Sequence, residues 1–206
     1  DEALLEKDYA VARNQIEISD YSFPTVETLT AAQEGEIKID EANAWLTLSA
    51  AGFDVTFNKS NGWIDYIDLD GKQITKNRTS MKSDFWRAPT DNDFGANLQR
   101  NMSAWKNPNM RMTSFNRTEE NGNQVVTVVY QMNSVRSLLT LKYTMTPDGK
   151  LIVNQSIKKA EGESEVPNMF RFGMTLTMQE EYNTIEYYGR GPIESYSDRN
   201  SSEWIG

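Results

Sequence analysis

From about residue 44 onward, apolar and polar positions alternate with a period of two, the mark of strands with one buried and one wet face. Across Gly52–Asn58, Phe53, Val55 and Phe57 alternate with Asp54, Thr56 and Asn58. Between Ser137 and Thr146, Leu139, Leu141, Tyr143 and Met145 share a face opposite Thr140, Lys142 and Thr144. Phe170, Phe172, Met174, Leu176 and Met178 do the same against Arg171, Gly173, Thr175 and Thr177, which predicts another strand there. Val125–Tyr130 is apolar on both sides, the pattern of a central strand covered on both faces.

The connections between these runs carry hairpin chemistry. Asn61-Gly62, Asp70-Gly71, Asn121-Gly122 and Asp148-Gly149 each set a residue tolerant of positive φ before a glycine. Several short strands joined by such turns predict an all-β fold, an antiparallel sandwich or barrel. The N-terminal stretch differs. Asp1–Arg13, with Leu4, Leu5 and Val11 roughly on one side, reads as an amphipathic helix, and Ser19–Ile37 reads as a linker. A domain boundary near residue 38 follows.

Composition narrows the chemistry. Hydrophobic residues make up 38% of the 206 positions and mean hydropathy is -0.65. No apolar run approaches the roughly 18 residues of a membrane span. The net charge of -9 repels phosphate backbones, so neither nucleic acid nor membrane is an expected partner. With no Cys there is no disulfide, thiol nucleophile or thiolate metal site, and with no His there is no Ser-His-Asp triad or imidazole zinc site. Carboxylates, Tyr, Lys and Arg are left to carry any chemistry, and no metal or cofactor is expected.

Two segments stand out from generic strand or turn. The first is Asp84-Phe85-Trp86-Arg87-Ala88-Pro89-Thr90-Asp91-Asn92-Asp93-Phe94-Gly95. Pro89 disfavours helix at Ala88, and Gly95 is expected to permit a sharp bend. An aromatic face packs on the apolar face of a pyranose while Asp, Asn and Arg bond its hydroxyls, so Trp86, Arg87, Asp91, Asn92, Asp93 and Gly95 form one candidate sugar-contacting set. The competing reading is a self-capped loop whose Asx side chains bond their own backbone. The second segment is Tyr187-Tyr188-Gly189-Arg190-Gly191-Pro192-Ile193-Glu194-Ser195-Tyr196-Ser197-Asp198-Arg199. It lacks the third glycine of a dinucleotide loop. It presents Glu194, Tyr196, Asp198 and Arg199, either as site residues or as a buried network bracing a corner of the sandwich.

Together, in this order, Trp86–Gly95 and Gly189–Arg199 closely resemble the C-terminal small-chain domain of glycoside hydrolase family 2 β-galactosidases, with the Asn61-Gly62-Trp63 turn also fitting. The resemblance implies a large antiparallel supersandwich related to galactose mutarotase over residues 39–206, incomplete at its C-terminal end. It implies that residues 1–20 end a preceding Ig-like β-sandwich, which conflicts with the helix read there from periodicity, and that 21–38 form a linker. It further implies that retaining hydrolysis uses two glutamates on an upstream (β/α)₈ barrel, about 5 Å apart, neither of them in this chain. The sandwich would help wall the site, with residues 95–100 as a closing loop. The implied partners are a β-galactoside or related carbohydrate, the remaining domains of the same polypeptide and, through exposed strand edges, a second copy. A stand-alone carbohydrate-binding module and a purely structural domain are the competing readings.

Overall fold

The computed structural model describes residues 34–77 and 79–191, residues 9–10, 14–16, 18, 22, 25 and 29–30, and the backbone of 204–205. The chain divides into two units, residues 25–182 and a smaller one made of 1–24 with 183–206. The expected helix or Ig-like strand at the N-terminus falls largely outside the described residues.

The larger unit is an antiparallel β-sandwich. Its first sheet runs in order β1 (Lys38–Glu41), β2 (Trp45–Ala50), β3 (Phe53–Asn58), β4 (Ile64–Leu69), β5 (Lys72–Gln73). After β6 (Lys82–Asp84), the second sheet is built from β7 (Met110–Glu120), β8 (Asn123–Met132), β9 (Ser137–Met145) and β10 (Leu151–Lys159), in spatial order β10-β9-β8-β7. Consecutive strands pair because the turns are tight. Asn121 and Gly122 both take positive φ, 53° and 79°, joining β7 to β8 in the two-residue turn that matches strand twist.

Alternation decides which side chains meet between the sheets. Leu46, Leu48, Val55, Phe57 and Ile64 from the first face Val126, Val128, Tyr130, Leu139, Leu141 and Tyr143 from the second. Phe57 meets Phe115 and Tyr143 edge-on at centroid distances of 6.2 and 5.1 Å. Trp63 stacks on Tyr130 at 4.4 Å, and Tyr130 Oη donates to the Asn61 carbonyl at 2.8 Å. Each such fully buried side chain contributes about 1.5–3 kcal/mol. Burial pushes both the Tyr130 and Tyr143 phenols up, so both stay neutral. β8 is central, as its two-sided apolar run predicts, with Val126 and Val128 facing the core and Val125 buried on the opposite face.

Polar contacts and a small ribbon join the two sheets at their sides. Glu41 of β1 accepts from Arg117 of β7 at 3.3 Å and from Lys59 at 2.8 Å. Across the sandwich, β6 pairs with β11 (Gly173–Thr175). Met81, preceding β6, donates to Ile64 O of β4 at 2.8 Å, while Ser83 Oγ of β6 donates to Gln155 Oε1 of β10 at 2.6 Å. The ribbon thus ties the edge of one sheet to the edge of the other.

The expected long strand at 170–178 is corrected here. Only Gly173–Thr175 forms a strand, Met178 makes an isolated bridge to Thr75, and Phe172 stays 51% exposed. Period two signals extended backbone, but this stretch finds a full strand partner over three residues only.

Candidate functional site

The Trp86–Gly95 segment leaves the sandwich directly from β6. Asp84 closes that strand, its Oδ1 accepting from the Trp86 backbone N–H at 3.1 Å and its Oδ2 lying 3.5 Å from Arg171 Nη1. Phe85 turns inward, edge-on to Trp105 at 5.3 Å and stacked on Phe172 at 6.1 Å. Trp105 is fixed in turn by its Nε1–H, which donates to Asn168 O at 2.8 Å. Trp86 is half-buried and meets Phe170 edge-on at 5.0 Å. The Arg87 guanidinium lies 4.7 Å from the centre of the same ring, a cation–π contact.

Pro89 and Thr90 carry the chain into a short helix, α1 (Asp91–Gly95). Thr90 is its N-cap, and the reciprocal bonds of a capping box are both present. Asp93 N donates to Thr90 Oγ1 at 3.4 Å, and Thr90 N donates to Asp93 Oδ2 at 2.7 Å. Arg87 grips the same carboxylate with both terminal nitrogens, Nη1 to Oδ2 at 2.5 Å and Nη2 to Oδ1 at 3.1 Å. The Arg87 hydrogen bonds, followed by the Thr90 backbone N–H, hold the Asp93 carboxyl well below the usual range, at about 2. Asp93 is therefore an ionised brace at neutral pH. Both its oxygens are engaged within the segment.

Asp91 and Asn92 occupy the first turn of α1 and are exposed, as are Phe94 and Gly95. Of the two sequence-based readings, the geometry shows the self-capped turn, formed by Thr90 and Asp93, with Asp91 and Asn92 exposed beside it. Gly95 does not make the bend expected of it. Its φ is not positive, and the left-handed residue is Asn97, at φ 57°, which precedes a second short helix, α2 (Leu98–Asn101). The expected closing loop at 95–100 is largely this helical pair.

Glu194, Tyr196, Asp198 and Arg199 lie outside the described residues. Just before them, Arg190–Gly191 (β12) pairs with Trp204–Ile205 (β13). The residues the sequence did not single out as part of the site are Asp84, Trp105, Asn168 and Phe170. The aromatic content around Phe170 was the available signal. Among the described residues no cluster of acidic side chains is placed to hold a metal ion.

A profile of the β-galactosidase small chain matches residues 49–206. Among curated relatives, a β-galactosidase of Priestia megaterium is 27% identical over 80% of this chain and 16% of its own length. One from Lactobacillus delbrueckii subsp. bulgaricus is 28% identical over 84% of the chain and 17% of its own. A third, from Kluyveromyces lactis, is 28% identical over 100% of the chain and 20% of its own. The chain thus spans about a fifth or less of these relatives. With the profile covering most of an antiparallel sandwich that carries the Trp86–Gly95 segment, the chain belongs to the β-galactosidase small-chain family.

Proposed function

We propose that this chain is the site-completing sandwich of a retaining β-galactosidase of glycoside hydrolase family 2, within a longer polypeptide that supplies both catalytic glutamates. It binds and orients a β-galactoside and performs no bond cleavage itself. The reading rests above all on the small-chain profile together with the short braced helix whose first turn presents Asp91 and Asn92. Two different tasks divide the segment. Asp91 and Asn92 bond sugar hydroxyls, with Trp86 and Phe94 offering apolar surface to ring C–H groups. Arg87 and Asp93 are positioning residues that hold the first turn in place, since a hydrogen-bonding group must be set before substrate arrives to be effective. The same resemblance makes Glu194, Tyr196, Asp198 and Arg199 candidate sugar-binding residues.

The test uses the intact enzyme with a nitrophenyl galactoside. Asp91→Ala and Asn92→Ala should each raise KM by roughly 3- to 10-fold, the worth of a single hydrogen bond, with the melting temperature unmoved. KM values equal to wild type in both variants would remove the sugar-binding role.

A further inference from the structure

Asparagine stands before glycine twice in the chain, at Asn61-Gly62 and Asn121-Gly122, and the fold treats the two pairs differently. Such a pair is open to a reaction with water alone. The glycine amide nitrogen gives its proton to hydroxide and attacks the asparagine side-chain carbon Cγ. The bond from Cγ to the side-chain nitrogen breaks, and that nitrogen leaves as ammonia with a proton from water. The cyclic imide then adds water at either carbonyl, giving an aspartyl or an isoaspartyl unit. The ring closes only when the peptide unit between the two residues turns its nitrogen toward Cγ, so the rate reports how freely that unit rotates.

At Asn61 the unit is held at both ends. Its carbonyl accepts from Tyr130 Oη at 2.8 Å, and its Gly62 N–H donates to Asn58 O at 2.7 Å. The side chain is engaged as well, Asn61 Oδ1 accepting from the Trp63 N–H at 3.0 Å. Gly62 itself is buried against Val128, Tyr130 and Met112. That unit has no room to turn.

Asn121-Gly122 is the opposite case. Both residues are exposed, and among the described residues the Asn121 carbonyl, the Asn121 side chain and the Gly122 N–H make no hydrogen bond. The φ values of 53° and 79° make the turn type I′. Turning the peptide unit over converts it to type II′, in which the first residue keeps its positive φ and only the second changes sign. Both types close a two-residue hairpin, so Glu120 and Asn123 stay paired while the Gly122 nitrogen swings toward Cγ. Open space around Gly122 permits the change.

We propose that Asn121 is a site of spontaneous deamidation in the folded chain, selected over Asn61 by the turn that carries it. The aspartyl product sets a further carboxylate beside Glu119 and Glu120. The isoaspartyl product adds a main-chain carbon to a turn that joins β7 to β8 through two residues, which loosens the hairpin. None of this depends on the role assigned to Asp91 and Asn92.

Folded chain held in mildly alkaline buffer, digested with trypsin and read by mass spectrometry separates the two sites. Cleavage after Lys59 and Lys72 isolates Asn61, and cleavage after Arg117 and Arg136 isolates Asn121. Asn121 should deamidate at least roughly ten-fold faster than Asn61, the factor set by the hydrogen bonds that Asn61 must first release. The same two peptides, incubated after digestion, should react at similar rates. Tyr130→Phe frees the Asn61 carbonyl and should speed Asn61 by roughly 3- to 10-fold with Asn121 unchanged. Equal rates at the two sites in the folded chain overturn the proposal. So does a preference for Asn121 that persists undiminished in the free peptides, even if the phenylalanine variant fails to fold.

Discussion

At the scale of single residues, the Arg87–Asp93 pair decides how the Trp86–Gly95 segment behaves. Asp93 has a folded-state pKa of about 2, below its ordinary value of roughly 3.9. Its stabilisation is therefore complete above the ordinary value and disappears as pH falls through about 2. Asp93→Asn should lower the melting temperature by a few degrees at neutral pH, with the gap to wild type closing between about pH 4 and pH 2. Thermal scans across that range check it, and a gap independent of pH would show that the ion pair is not its source. Gly95→Ala should change stability by less than about 1 kcal/mol in either direction, measured by urea unfolding. Its φ is not left-handed and an added Cβ meets nothing within 4 Å. The residue types of this segment were legible in the sequence, but their directions were not. Nothing in the order Asp91-Asn92-Asp93 says that the third side chain turns inward to Arg87 while the first two face out. That depends on the capping geometry at Thr90, which exists only once α1 has formed.

At the scale of strands and turns, alternation was the reliable signal wherever a run had a partner along its whole length. Leu139, Leu141, Tyr143 and Met145 are all fully buried because β9 pairs on both sides, with β8 and β10. The run from Phe170 to Met178 has the same pattern, yet it leaves Phe172, Leu176 and Met178 substantially exposed. Sequence period reports faces and is silent on partners. The Asn61-Gly62 turn was legible as a turn, though its tightness was not. Gly62 sits at φ +79°, and an added Cβ would fall 2.5 Å from Val128 Cγ1 and 2.6 Å from Tyr130 Oη. Gly62→Ala should therefore destabilise by more than about 1 kcal/mol. Gly122→Ala, at the same φ but in open space, should lose less. Urea midpoints of the two variants make the comparison, and equal losses would mean that backbone strain alone operates. On the outer face of the first sheet, Asp54 stands directly opposite Asp68. Burial, then the Asp54 charge, raises the Asp68 carboxyl. A raised carboxylate weakens the fold while ionised, so Asp68→Asn should stabilise by about 0.5 kcal/mol at neutral pH, with the gain vanishing as pH falls into the carboxylate range.

At the scale of the whole molecule, the question is whether the chain can cleave a glycosidic bond unaided. Retaining hydrolysis needs two carboxyl groups about 5 Å apart, one kept protonated as the acid, on either side of an enclosed sugar. Glu41 and Asp148 have lowered pKa values and are held by cations, and Asp93 is the brace of α1. Among the described residues Asp54 and Asp68 come nearest the requirement, being cross-strand neighbours with one raised member. They stand side by side on the outer face of one sheet, however, and do not face each other across a cleft in which a sugar ring would sit. Purified chain should accordingly leave a nitrophenyl galactoside at its uncatalysed rate. Any trace hydrolysis in a preparation should be identical in an Asp54→Asn/Asp68→Asn double variant, which marks it as contamination. Turnover that disappears with that double substitution would place an acid/base pair on this sheet and overturn the division of labour proposed for the full polypeptide.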